Sequence, residues 1–292
     1  METVAGLPYP RLSCNRFSFI TEDACSRGER ETMPLISDDG LFRACGVRIA
    51  FTGREGGVSE GAYSSLNLGS HVEDDPNSVR ENRRRLLDAL GAPGVDLIVP
   101  NQVHGIRLVT VGDPEVFASV QEDAAAGADG VEVLCCNVAA LLCFADCMPV
   151  ILVSPSGAFA VVHAGWRGVY GHIAVDALRS LSRKTGCSPA DCNIYLGPFI
   201  HPECFEVSQD LGDKFSSEFG SYCLVDSRHV DLEKAIRKDL LDAGADPMRI
   251  LSAGICTVCN PEEYYSYRAS GGVCGRHGAV AVRVAPGAEN PR

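Results

Sequence analysis

No stretch of this sequence is apolar for long enough to cross a bilayer. The longest run, Val138–Ala145, falls far short of the ~20 residues a spanning helix needs. Basic residues are scarce as well: 26 Lys and Arg stand against 38 Asp and Glu, a formal charge of −12. No surplus of positive charge exists to neutralise phosphates along a polymer, which argues against a general nucleic-acid binder. A small anionic substrate would need a local basic pocket set against that background. The first forty residues lack an apolar core and carry Glu2, Glu22, Asp23, Glu29 and Glu31. This pattern matches neither a secretory signal nor a transit peptide, and the expectation is a cytoplasmic protein. No internal repeat, low-complexity linker or charge block divides the chain.

Cysteine, by contrast, is plentiful, with 14 in a chain of 292 residues. A disulfide framework belongs to short secreted chains, whereas Cys135, Cys136, Cys143 and Cys147 lie in or beside apolar runs. The expectation is a reduced protein with most thiols buried as small core residues. Cys256-Thr257-Val258-Cys259 has the spacing of a redox motif, a weak signal by itself.

Strand-like runs occur at Val47–Thr52, Ile106–Val111, Val131–Cys135, Val138–Ala145, Val150–Val153, Ala158–Val162, Asn193–Leu196, Ile250–Ile255 and Gly278–Val284. Helices are fewer. Asp75-Pro76 opens one that Gly91 stops, another follows Gly168 and ends at Gly186, and Ser208 and Asp231 cap two more. Many strands with few intervening helices argue against a repeating βαβ order. The pattern predicts an α+β fold, a single layered domain of mixed β-sheets flanked by helices. The catalytic domain is expected over 46–284, after a partly ordered extension over 1–45 and before a loose tail over 285–292.

Two turns stand out chemically. Asp146-Cys147-Met148-Pro149 follows one apolar run and His163-Ala164-Gly165-Trp166-Arg167-Gly168 follows another, so two strand ends of one core can bring a thiol and an imidazole together. That pair serves either as a nucleophile with its base or as two ligands of a metal. His104, in Asn101-Gln102-Val103-His104-Gly105, is a third candidate. Two histidines and a cysteine are the donor set of a catalytic zinc with an open fourth position. An isolated histidine or cysteine is more often an ordinary residue, and it is the local turns that raise these three. The glycines after His163, the start of the following helix and Arg167 suit a phosphate or carboxylate. Two further segments look built for binding: Thr52–Ser59 with Ser65–Gly69, carrying Arg54 and Asn67, and Ser266–Arg268 with Gly275-Arg276.

Taken in order, Thr52–Ser59, Ser65–Gly69 with His71-Val72 and Asp74–Pro76, Gln102–Gly105, Asp146–Val150, His163–Gly168, Gly197-Pro198 with Phe205–Val207, and Ser266–Arg268 with Gly275-Arg276 resemble the YfiH/laccase-domain family of purine nucleoside phosphorylases. The resemblance runs from about Val47 to Val284. It implies an α/β/β/α domain of cysteine-hydrolase-like kinship and one zinc ion per chain on His104, Cys147 and His163. It further implies phosphorolysis of adenosine, inosine, guanosine and methylthioadenosine, deamination of adenosine, and a homodimer. Arg54, Asn67, Arg167, Arg268 and Arg276 are then candidates for substrate binding. Cys147, His163 and Asp146 are candidates for catalysis, with Asp146 either moving a proton or holding the turn. Departures at Glu73, Ala269 and Cys274 spare the triad and bear on the arginine loop.

The family's older label, multicopper polyphenol oxidase, meets a shortage. Seven histidines are present, only two of them in convincing site turns, too few for a trinuclear copper cluster within one chain. A single copper is chemically admissible in the His2Cys set, and zinc is the expected metal. Three rivals stay open: a cysteine hydrolase or amidase using Cys147 and His163, a copper-dependent phenol oxidase, and a non-catalytic metal-binding module.

Overall fold

Strands that are apolar on both faces must be covered on both faces, and this chain carries several of them. The computed structural model describes residues 18–24 and 31–284. In chain order it forms β1 (Ser18–Ala24), β2 (Glu31–Ser37), α1 (Asp39–Cys45), β3 (Val47–Thr52), α2 (Pro76–Ala89), β4 (Asp96–Ile98) and β5 (Leu108–Val111). There follow α3 (Phe117–Ala125), β6 (Gly130–Val133), β7 (Val138–Phe144), β8 (Met148–Val153), β9 (Phe159–Ala164), α4 (Trp166–Tyr170) and α5 (Ile173–Thr185). The chain continues with β10 (Asn193–Leu196), α6 (Gln209–Phe219), β11 (Leu224–Asp226), β12 (His229–Val230), α7 (Leu232–Asp242), β13 (Ile250–Ser252) and β14 (His277–Arg283).

Two six-stranded mixed sheets result, in the orders β1-β2-β3-β14-β7-β4 and β13-β10-β8-β9-β6-β5, beside a small β11-β12 hairpin. Alternation along each strand decides the layers. From β7, Val138, Ala140, Leu142 and Phe144 enter the core between the sheets, where Phe159 and Val161 of β9 and Ala279 and Ala281 of β14 also lie. The alternate residues Leu141 and Val280 face outward onto Leu86 of α2. On the other side, Val150, Leu152, Ala160 and Val162 face outward onto Ile173, Ala177, Leu178 and Leu181 of α5 and onto α6 and α7. The order helix, sheet, sheet, helix follows from this. Each fully buried aliphatic side chain contributes roughly 1.5–3 kcal/mol.

Several strands and helices escape a periodicity reading. β4 is three residues long and pairs in parallel with β7, too short to alternate visibly. α3 packs Phe117 and Val120 against the inter-sheet core beside the edge strands β4 and β5. β1 and β2 pair as an antiparallel hairpin, and β2 continues onto β3. This hairpin and α1 belong to the stretch read from sequence as a partly ordered extension. They add two strands to the first sheet, and Leu41 of α1 enters the inter-sheet core. The tail over 285–292 lies outside the described residues. The helix expected after Gly168 is corrected: helical turns begin at Trp166, stop at Gly171 and His172 (φ 61°), and resume at Ile173.

Candidate metal centre and active site

The chain leaves the first sheet at Phe144 and enters the second at Met148, so Ala145-Asp146-Cys147 is the crossover between them. Register then fixes the site. Met148 pairs with Ala164 on β9, which sets Cys147 opposite Gly165. Gly130 pairs with Val162, which sets Asp129 opposite His163, and the His163 N–H donates to the Asp129 carbonyl at 2.7 Å. His163 is in phase with Phe159 and Val161, so its ring points between the sheets at their open end, 5.4 Å from the Phe144 ring.

Asp129 gathers the remaining parts. Its carboxylate accepts from the backbone N–H groups of His104 (2.9 Å) and Gly105 (2.6 Å), and it bonds His163 Nδ1 at 2.8 Å. His104 is held with φ 59° in the left-handed region, a conformation that those amide bonds help to stabilise. Gln102 exchanges two 2.8 Å bonds with the Cys143 backbone and so fixes the loop to β7. With Nδ1 of His163 committed to Asp129, its Nε2 is the atom left for a ligand, the carboxylate–histidine arrangement that orients metal-binding imidazoles.

His104, Cys147 and His163 each then present one donor atom, all within 4.8 Å of one another. Burial pushes the Cys147 thiol up, but the neighbouring His163 and His104 rings overcome it and bring the thiol down to about 6. Burial pushes His163 down, and the Cys147 thiolate and Asp129 raise it to about 9. The site therefore favours a thiolate, the form that binds metals. Gly165 is part of the fit: a Cβ there would lie 3.0 Å from Cys147 Sγ and 3.3 Å from His104 Cδ2. Two nitrogens, a thiolate, a carboxylate behind one imidazole and His104 facing solvent suit a tetrahedral ion with one position open.

This centre forms the floor of a cleft of about 470 Å³, whose walls include Trp166, Phe205, Tyr267, Arg268, Arg276 and His71. Arg268 donates to the carbonyls of Cys204 (3.1 Å) and Glu206 (3.3 Å), and Arg276 to those of Cys274 (2.8 Å) and Gly275 (2.9 Å). These bonds set where the two guanidinium planes lie. Asp146 lines the cleft but has both carboxylate oxygens engaged. One accepts from the Thr257 hydroxyl at 2.7 Å and the other from the Arg268 N–H at 2.7 Å.

Arg54 is turned away: its guanidinium donates to the Ser64 and Pro261 carbonyls and stacks on Tyr265. Asn67 is fully buried, and its Oδ1 accepts from the Arg276 N–H at 2.9 Å, so it supports the arginine loop from behind. Arg167 is exposed and stacks on Trp166 at 4.5 Å. Neither Arg54, Asn67 nor Arg167 is among the cleft-lining residues. The helix start after Gly168 is likewise not at the site, because α4 begins at Trp166 and α5 opens on buried Ile173 and Ala174. Sequence reasoning missed Asp129 and undervalued His71. Asp129 had one signal, an acid placed just before a buried strand, but its meaning depends on β6 lying beside β9. At His71, desolvation and the nearby Arg276 and Arg83 lower the imidazole pKa.

Fold and site together define a layered α/β/β/α protein with a His2Cys centre at the open end of its two sheets. Residues 48–284 match the model of the multi-copper polyphenol oxidoreductase laccase family, and the chain belongs to that family. It is 34% identical over 247 residues to the purine nucleoside phosphorylase YlmD of Geobacillus stearothermophilus, covering 79% of this chain and 88% of that one. It is 32% identical to the adenosine deaminase RL5 of an unknown prokaryotic organism, over 78% of this chain and 90% of the relative. The crystal structure of Geobacillus stearothermophilus YlmD superimposes with a TM-score of 0.77 at 30% identity, covering 90% of this chain and all of that one.

Proposed function

We propose that this chain is a zinc-dependent purine nucleoside enzyme. It cleaves adenosine, inosine, guanosine and methylthioadenosine with phosphate to the free base and ribose 1-phosphate or its methylthio analogue, and it deaminates adenosine. The observation that carries this reading is the convergence of His104, Cys147 and His163 on the floor of a cleft walled by Arg268, Arg276 and three aromatic rings. The relatives' names support the substrate class.

His104, Cys147 and His163 would hold the zinc, which when bound supplies a Lewis acid that makes water nucleophilic near neutral pH. The same donors admit copper. Trp166, Phe205 and Tyr267 offer aromatic faces for a purine, and Arg268 and Arg276 offer cationic forks for phosphate. In phosphorolysis a phosphate oxygen bonds C1′ while the glycosidic C–N bond breaks, and the departing base takes up a proton. The lowered pKa of His71 leaves this cleft imidazole neutral, so it can accept a proton from the attacking dihydrogen phosphate and pass it to the departing base. Asp146 acts as a positioning residue, with one oxygen on Thr257 and the other on the Arg268 backbone.

A second reading has its own support. Cys147, His163 and Asp129 line up as nucleophile, base and orienting acid, and the thiol is held at about 6. That is the arrangement of a cysteine hydrolase. It predicts turnover without metal and loss of activity on iodoacetamide labelling of Cys147. The deciding experiment incubates metal-analysed protein with adenosine, with and without phosphate, and identifies products by mass spectrometry. Adenine with ribose 1-phosphate supports phosphorolysis, and inosine supports deamination. No product, or unchanged product from His163→Ala, overturns the proposal.

A further inference from the structure

A second set of thiols converges outside the catalytic floor. Cys204 lies in the turn after β10, and Cys256 and Cys259 lie in the turn after β13. Their sulfurs are all within 4.8 Å of one another, with Cys204 and Cys259 3.5 Å apart. The two turns are clamped by backbone pairing: Phe199 bridges Cys256, and the Thr257 N–H donates to the Phe199 carbonyl at 3.0 Å. His201 adjoins this cluster through Cys256, with which it and Glu203 form a neighbouring group of donor atoms. Its backbone N–H donates to Cys256 Sγ at 3.4 Å, and a ring nitrogen lies within 4.8 Å of that sulfur. Its Nε2 is buried without a hydrogen-bond partner among the described residues.

The sequence spacing is therefore His201-x-x-Cys204 and Cys256-x-x-Cys259, two short pairs presented by two loops. Short-spaced pairs of this kind are the usual source of Cys3His ligands for a structural zinc. A disulfide between Cys204 and Cys259 would leave the third sulfur and the unpartnered imidazole unexplained. A soft ion accounts for all four, since thiolates select zinc over harder cations.

We propose that Cys204, Cys256, Cys259 and His201 bind a second zinc ion, structural rather than catalytic. Its place in the fold gives it a task. The Cys204 carbonyl accepts from the Arg268 guanidinium, and Thr257, between the two cysteines of the second pair, donates to Asp146, which in turn accepts from the Arg268 backbone. The ion staples together the two loops that anchor Arg268 on the cleft wall.

Metal analysis of the full chain, purified under reducing conditions, tests this. The expected content is about two zinc ions per chain in wild type and about one in both Cys259→Ser and His104→Ala/His163→Ala. Losing different ions in the two variants separates this site from the catalytic centre, so either can fail alone. Cys259 is exposed, which lets the serine variant fold. A second measurement needs no variant: zinc added to stripped wild type should slow thiol-reagent labelling of Cys204 and Cys259, located by peptide mass mapping. Equal zinc content in wild type and Cys259→Ser, labelling indifferent to zinc, or recovery of a Cys204–Cys259 disulfide peptide would each overturn the proposal.

Discussion

The floor of the cleft and its arginine wall are built on different principles. One consists of strand ends: Cys147 and His163 sit at the edges of β8 and β9, where ladder register and burial on both faces leave them little freedom. The other consists of loops: Arg268 and Arg276 ride on irregular backbone, held by bonds from side chains to main-chain carbonyls and by Asp146 and Asn67 from behind. A reactive centre needs donors fixed to within a fraction of an ångström, and sheets supply that. A substrate contact tolerates adjustment, and loops supply variation without disturbing the core.

Substitutions can break this contrast. The largest effect is expected from Cys147→Ser on the strand-built floor, with metal content and turnover falling by well over about 100-fold, more than the 10–100-fold typical of losing a group behind a ligand. Asp129→Asn should reach that lower range, about 10–100-fold in metal affinity measured by competition with a chelator, since it weakens both the His163 bond and the amide cradle of His104. On the loop wall, Asp146→Ala removes two buried charge-assisted bonds, each contributing about 1.5–3 kcal/mol. The expectation is a rise in KM with metal binding at His104, Cys147 and His163 retained. Loss of metal binding instead would show that floor and wall are not separable.

His277 tests what lies behind the arginines. Burial, assisted by Arg276, lowers its imidazole to about 3, and neither ring nitrogen has a partner among the described residues. Its native state holds the ring neutral, so the unfolded chain binds more protons below the ordinary histidine pKa of about 6.5. Stability is then fully present above about pH 6.5 and declines as pH falls towards 3, by up to about 1.4 kcal/mol per pH unit. His277→Phe should flatten that acid limb in denaturant titrations. The smallest effect belongs to Arg167→Ala, within about 0.5 kcal/mol of wild type and with KM unchanged. A large KM effect would return Arg167 to the cleft.

Much of this was legible in the chain. Continuous apolar runs marked β7, β9 and β14, and caps at Asp75, Ser208 and Asp231 marked three helices at their observed starts. Short turns beside buried strands pointed to His104, Cys147 and His163, which converge as expected. The arginines were less legible. All four candidates, Arg54, Arg167, Arg268 and Arg276, sit beside glycines, aromatics or turns, and only Arg268 and Arg276 reach the cleft, because a side chain's direction depends on what else packs against its loop.

Sequence alone determined which residues could be covered on both faces and which residue types could hold a soft ion, because both are properties of side chains and their local spacing. Tertiary structure decided which of those residues meet. Asp129 stands 34 residues from His163 along the chain and became its partner only because β6 pairs with β9. Cys204 and Cys259 are separated by 55 and met through the side-by-side placement of β10 and β13. Register between distant strands is set by the packing of the whole core, and no local pattern contains it.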